Sequence, residues 1–63
     1  MSVVALARVV RESLQESLAS VEAGILGGVA TWEEYKGLVG KRQGLQLALS
    51  LLDEEVRRFD EQN

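Results

Sequence analysis

The sequence contains no cysteine, no histidine and no proline, and only three of its 63 residues are aromatic. Without cysteine there is no disulfide, and without cysteine or histidine an ordinary zinc site is excluded. A serine–lysine pair is the only nucleophilic arrangement left. Ser13, Ser17 and Ser20 lie on a different predicted helix from Lys36 and Lys41. We therefore predict that the protein is not an enzyme and uses no cofactor, no metal ion and no small-molecule substrate.

Basic residues are also scarce, since seven Lys and Arg stand against ten Asp and Glu, a net charge of −3. A nucleic-acid-binding protein normally presents a basic face, so this balance disfavours nucleic acid as a partner. Charged residues interrupt every apolar run well before the roughly 18 residues of a membrane span. The apolar N-terminal stretch carries Arg8 and Arg11 and lacks the order of a signal peptide. We predict neither a membrane segment nor a signal sequence.

The residues that dominate are good helix formers, and the apolar positions recur at helical spacing. The first predicted helix covers residues 3–26, with Ser2 as a possible cap. Its apolar stripe is flanked by a track of small residues, and the Gly27-Gly28 pair ends the helix because glycine tolerates the left-handed conformation found there. The stripe comprises Leu6, Val10, Leu14, Leu18, Val21 and Ile25, and the small-residue track comprises Ser13, Ser17, Ser20 and Gly24.

The second predicted helix covers residues 32–59 and follows a turn at residues 27–31. Thr31 with Glu34 three residues later forms the Thr-x-x-Glu capping box. Because the connection is short, the two helices are expected to run antiparallel. The sequence therefore predicts an all-α fold, with residues 1–63 forming one helical-hairpin domain.

An apolar ladder runs along the second helix in alternating steps of three and four, which keeps it on one side. Arg42 interrupts this ladder. A charge at such a position often fixes register or partner choice, and we expect Arg42 to meet Glu16 or Glu22 of another helix. The ladder consists of Tyr35, Leu38, Arg42, Leu45, Leu49, Leu52, Val56 and Phe59.

A second track on this helix consists of small residues: Gly37, Gly40, Gly44 and Ala48. Each glycine costs about 0.8–1 kcal/mol relative to alanine in a helix interior. One interpretation is a local break at Gly40. The other, which we favour, is close approach by the serine track of the first helix. The leucines of the ladder would then need a different cover, and we predict self-association into a homo-oligomeric helical bundle.

Two further patterns have a structural explanation rather than a functional one. The stretch GLVGKRQG resembles a phosphate-binding loop, but it lacks the Gly-Lys-Ser/Thr ending and a preceding strand. The acidic C-terminal cluster is better explained as a solvated helix face than as a cation site, because arginines at i+4 spacing are expected to pair with its carboxylates. The expected pairs are Asp53 with Arg57 and Glu54 with Arg58.

Residues 35–51 resemble a pattern found in short helical proteins encoded among the virion-structure genes of tailed bacteriophages. The shared features are an aromatic residue, then Val-Gly, then Gln/Arg-Gly-Leu, then an Ala/Leu-rich helix ending in acids. Here these are Tyr35, Val39-Gly40, Gln43-Gly44-Leu45 and the run to Glu55. The resemblance implies a virion component or assembly factor of the head or neck, located in the virion or the host cytoplasm.

The leading hypothesis is thus a structural or assembly protein that contacts itself and a larger protein through its helix faces. The assigned interface residues are the small-residue track and the ladder from Leu45 onward. The alternative is a small regulatory module that inhibits a host protein, which the acidic C-terminus suggests. The two hypotheses differ in whether the protein is present in purified particles at a fixed copy number.

Overall fold

The structure is a computed structural model that describes residues 2–62. Two helices make up this part of the chain: α1 spans Val3–Leu26 and α2 spans Trp32–Gln62. They pack against each other as a hairpin, so the predicted all-α hairpin is confirmed. Helix α1 begins at a cap, because the Ala5 N–H donates to Ser2 Oγ at 3.0 Å. This bond satisfies one of the backbone donors that a helix start leaves without a partner.

The turn between the helices depends on its two glycines. The Gly27 N–H donates to the Ala23 carbonyl at 2.8 Å, which closes the last turn of α1. Gly28 then has a φ of +93°, in the region that disfavours a Cβ. The left-handed residue thus lies one position after the helix cap and reverses the chain in the short space that an antiparallel hairpin needs.

Helix α2 is capped by Thr31, whose Oγ1 accepts a hydrogen bond from the Glu34 N–H at 3.1 Å. The Glu34 carboxylate reaches back to the N–H of Ala30 at 2.9 Å. In the usual capping box the glutamate binds the N–H of the cap residue itself, so the bond here is displaced by one residue. The C-terminal end of α2 runs three residues beyond the predicted Phe59, because no glycine or proline interrupts the chain there.

The contact between the helices is made by the last four residues of the α1 stripe and by the ladder of α2, whereas Leu6 and Val10 of the predicted stripe are exposed. The ladder residues that face α1 are partly buried, whereas Tyr35 and Phe59 at its ends are exposed. Among residues 2–62 only Ala7, at 8% exposure, is buried, and no large side chain is fully buried. The facing positions are Leu14, Leu18, Val21 and Ile25 of α1 with Leu38, Leu45, Leu49, Leu52 and Val56 of α2.

This arrangement reverses the expected roles of the two tracks of α2. A methyl group built on Gly37, Gly40 or Gly44 would meet no atom within 4 Å beyond the local helix backbone. The serine track of α1 therefore does not cover these glycines within one chain, and that prediction is wrong. The physical reason is that the larger apolar area lies on the ladder, and helix pairs bury their largest apolar stripe first.

The hairpin is long and thin, with principal extents of 49 × 17 × 13 Å and a radius of gyration of 14.7 Å. A compact domain of this length has a radius of gyration of about 11 Å. The accessible surface is 4756 Å², whereas a compact monomer of this mass exposes about 4,000 Å². Two helices alone thus leave much of the chain's apolar surface in contact with water.

Candidate interaction surfaces

An ion pair fixes the register of the two helices and marks one side of the hairpin. Arg11 of α1 binds Asp53 of α2, with Nε donating to Oδ1 at 2.9 Å and a second bond from the other guanidinium nitrogen. Near the other end, the Leu38 side chain lies 3.6 Å from the position of a Cβ on Gly24. Both contacts join residues whose numbers add to about 63, so each level of α1 is matched to one level of α2.

The opposite side, which we call the open face, carries one stripe from each helix. On an α-helix, positions that alternate steps of three and four share a side. The α1 stripe consists of Leu6, Val10, Ser13, Ser17, Ser20 and Gly24, and the α2 stripe consists of Gly37, Lys41, Gly44, Ala48, Leu51 and Glu55.

The open face is raised at one end of the hairpin and recessed at the other. Towards the end where the chain termini lie, Leu6 and Val10 are 52% and 38% exposed, and Leu51, nearer the middle of α2, is 50% exposed. Towards the turn the stripes carry serine and glycine, and a shallow groove of about 460 Å³ opens between the helices. Gly24, Gly37, Leu38 and Lys41 contribute to its walls. One residue of each small-residue track, Gly24 of α1 and Gly37 of α2, thus lies at this recess.

Two charged residues interrupt the α2 stripe. Lys41 has no ion pair within the described part of the chain, and Glu55 binds Arg58 of the next turn at 3.1 Å. Lys41 and Glu55 lie seven residues before and after Ala48. They are therefore separated by about 21 Å along one helix, too far to interact within a chain. The stripe presents one positive and one negative charge at equal distances from its middle.

A second exposed surface, which we call the turn patch, lies where α2 begins. The rings of Trp32 and Tyr35 stack with their centroids 5.4 Å apart and their planes inclined by 22°. The Lys36 Nζ lies 6.0 Å from the centre of the Trp32 ring. Trp32 is nevertheless 66% exposed, and with Val29 and Tyr35 it lines a second shallow groove. A stacked, exposed tryptophan presents a large rigid apolar surface, the kind that anchors protein interfaces.

The expected partners of Arg42 are not found within one chain. Arg42 is partly buried at the edge of the helix contact, and no ion pair links it to Glu16 or Glu22 in residues 2–62. The cationic contact between the helices is made instead by Arg11, one turn after the buried Ala7. The ion pair between the helices joins Arg11 and Asp53, and the role of Arg42 in register or partner choice stays a prediction.

The C-terminal charges form a partly expected network. Arg58 binds both Glu54, at 3.2 Å, and Glu55, and the first of these pairs was predicted from its spacing. Asp53 binds Arg11 rather than the predicted Arg57, because the facing helix offers a guanidinium at the right level. Over residues 2–62 no three acidic side chains are grouped as a metal ion would need, and neither helix is both long and apolar enough to cross a bilayer.

Three features of these surfaces were not foreseen from the sequence. The Arg11–Asp53 pair joins residues 42 positions apart, so only the register of the hairpin brings them together. The turn patch has a local signal, since an aromatic pair at i,i+3 spacing lies on one side of a helix. The open face could have been found by writing out the α1 positions 6, 10, 13, 17, 20 and 24, which alternate steps of four and three.

Comparison with known proteins adds no relative: no protein-family model matches the chain, and no curated protein and no solved structure matches it either.

Proposed function

We propose that the protein is a non-enzymatic structural or assembly protein that works by contacts with itself and with a larger protein. The observation that carries this proposal is the contrast between core and surface. Only Ala7 is buried among the described residues, while large apolar side chains are exposed on both helices. Soluble proteins that act alone rarely leave such surfaces in water, so association is the simplest use for them.

The turn patch is the surface that we assign to the larger protein. Trp32 and Tyr35 supply a rigid aromatic pair, and Lys36 beside them, which lies 3.6 Å from the Glu33 carboxylate, adds a cation that a carboxylate of the partner can also meet. Aromatic residues with a charged rim are typical of the energetically dominant centre of an interface. We therefore expect the partner to present an apolar pocket with an acidic edge.

The biological setting we propose is the head or neck of a tailed-phage virion. Its support is the resemblance of residues 35–51 to short helical proteins encoded among virion-structure genes. A 49 Å hairpin with two separate interaction surfaces can join subunits without a core of its own. The setting predicts that the protein is held in particles at a fixed number of copies.

Quantitative mass spectrometry of purified virions tests the proposal. We expect the wild-type protein at a constant ratio to the major particle protein, and a clear loss of copies for Trp32→Ala. Val9→Ala is the matched control, because Val9 is also an exposed apolar residue but lies near the other end of the hairpin. Absence of the wild-type protein from particles would contradict the virion role.

A second candidate function is inhibition of a host protein by the acidic end of α2. Its support is the exposed group of carboxylates after Leu52, of which Asp60 and Glu61 have no ion pair within residues 2–62. This function predicts that Asp60→Lys with Glu61→Lys abolishes binding to the host target and leaves particle assembly intact. Loss of particles in that variant would instead support the structural role.

A further inference from the structure

We propose that the open face is covered by a second copy of the same chain, turned end for end, so that α1 lies on α1 and α2 lies on α2 of the partner. The dimer has a two-fold axis that crosses the helices near Ala48 of α2 and the facing level of α1. In naming a second copy as one partner, we build on the interaction function proposed above. Area, shape and charge each support this arrangement.

The exposed area matches what such a dimer needs. Two separate chains expose twice 4756 Å², and a compact protein of twice the mass exposes about 6,600 Å². Pairing can therefore remove about 2,900 Å² from water. Homodimers that form lasting interfaces bury about 2,000–5,000 Å², so the second copy supplies the area that the hairpin lacks.

The shape of the open face is complementary to itself only when one copy is reversed. The raised end with Leu6 then lies over the recessed end of the partner, where Gly24 helps to form the groove, and Leu51 lies near the level of Gly44 of the other copy. The α1 stripe shows the match directly, because Leu6 and Gly24 lie at equal distances from residue 15, as do Val10 and Ser20. Large side chains thus meet small ones towards both ends of the α1 stripe, and Ser13 meets Ser17 at its middle.

The charges on α2 fit the same axis. Because Lys41 and Glu55 are equidistant from Ala48, reversal about Ala48 brings each Lys41 opposite a Glu55 of the other copy. The level of Ala48 corresponds to about residue 15 of α1, midway between the levels that the Arg11–Asp53 and Gly24–Leu38 contacts give. One axis therefore satisfies the size pattern of α1 and the charge pattern of α2 together.

A dimer with its axis parallel to the helices lacks this fit. It would place the raised ends of both copies on each other and the recessed ends on each other. The copies would be held apart at one end and leave a cavity at the other, and cavities in an interface cost stability. Each Lys41 would also face a level without Glu55. The observed pattern therefore selects the reversed arrangement.

Charge reversal tests the proposal in the full-length protein by sedimentation equilibrium and native mass spectrometry. The wild type should be a dimer at micromolar concentration. Lys41→Glu alone and Glu55→Lys alone should each weaken the dimer at least about tenfold, because like charges then face each other twice. The double variant should regain the wild-type affinity, and a one-to-one mixture of the single variants should form heterodimers.

Matched controls separate a local effect from a change in net charge. Arg57→Glu alters the charge as Lys41→Glu does, and Glu61→Lys alters it as Glu55→Lys does, but both residues are exposed and off the stripe. The controls should dimerise as the wild type does. Helical circular dichroism of every variant in the mixed and unmixed samples shows whether loss of the dimer is accompanied by unfolding.

Three results would overturn the proposal. The first is a wild type that remains a folded monomer at 100 times the micromolar concentration used above. The others are no heterodimer in the mixture of single variants and no recovery of dimer affinity in the double variant. A monomer that is still present in virions at a fixed copy number would reject the second copy and leave the proposed function standing. A dimer whose affinity changes as predicted in the charge variants, but which is absent from virions, would support the second copy and reject the proposed virion function.

Discussion

Arg11 and Asp53 form the one ion pair that joins the two helices within residues 2–62, with Nε donating to Oδ1 at 2.9 Å. This pair lies on the side away from the open face and sets the level at which α1 meets α2. Both side chains are partly in water, so we assign the pair a larger role in register than in stability. That register is what aligns the small ends of the two stripes with each other.

The first prediction concerns the energy of this pair. A double-mutant cycle with Arg11→Ala and Asp53→Ala should give a coupling free energy of about 0.2–1 kcal/mol, because exposed ion pairs are screened by water. Urea unfolding of the four proteins measures it. Raising the salt concentration should reduce the coupling. A coupling that is zero at low salt would mean that the pair does not form in solution.

The second prediction concerns the cap of α2. Thr31→Ala removes the oxygen that accepts from the Glu34 N–H and should lower the free energy of unfolding by about 0.5–2 kcal/mol. Thr31→Ser keeps the hydroxyl and should remain close to the wild type. Equal unfolding midpoints for the alanine and serine variants would show that the helix does not depend on this cap.

The third prediction compares two leucines on opposite sides of α2. Leu49 is partly buried against α1, whereas Leu47 is 60% exposed. Leu49→Ala should cost about 1–3 kcal/mol through lost burial and an incompletely filled space. Leu47→Ala should change stability by less than about 0.5 kcal/mol. Thermal or urea unfolding at one protein concentration checks the order, which must invert if the ladder faces water.

The fourth prediction uses two glycines to distinguish an effect on the stability of the single chain from an effect on dimer affinity. Gly40 lies off the open-face stripe, so Gly40→Ala should stabilise the protein by about 0.5–1 kcal/mol through helix propensity. Gly44 lies on the stripe opposite the Leu51 region of a second copy. Gly44→Ala should therefore gain helix propensity at dilution and lose dimer affinity at high concentration, because the added methyl overpacks the interface. Unfolding measured across a hundredfold concentration range resolves the two effects, and identical behaviour of both variants would argue against contact at Gly44.

The sequence was sufficient for the helices, because their signals are local. Ser2, the Gly27-Gly28 pair and Thr31 each act within a few residues, and the structure places the ends of α1 and the start of α2 where these residues predict. Which face of α2 is covered depends on its contact with α1, so it has no local signal in the sequence. Both the ladder and the glycine track follow helical spacing, so periodicity alone could not decide which one α1 buries.

The choice between those faces depends on whether buried apolar area or closeness of helix approach contributes more, and the residue spacing does not show which. The sequence favours the glycine track as the face that α1 covers, because helices approach closely over small residues. In the structure α1 buries the leucines, and the glycines remain open. Apolar area thus outweighs closeness of approach within one chain, while the glycine track is left available for a partner. The prediction of self-association keeps its physical basis, but the surface that serves it has changed.

The most direct test of the reversed dimer is the distance between equivalent positions in its two copies. Because the chain has no cysteine, one engineered cysteine gives a single spin-label site. Gln46→Cys lies two residues from the proposed axis at Ala48, and Glu61→Cys lies thirteen residues from it. The axial separations between copies should then be about 6 Å and about 39 Å. Pulsed electron spin resonance should show a short inter-copy distance, about 20–25 Å, for Gln46→Cys and one above about 40 Å for Glu61→Cys. Equal distances at the two sites, or no inter-copy distance at either, would contradict the reversed dimer.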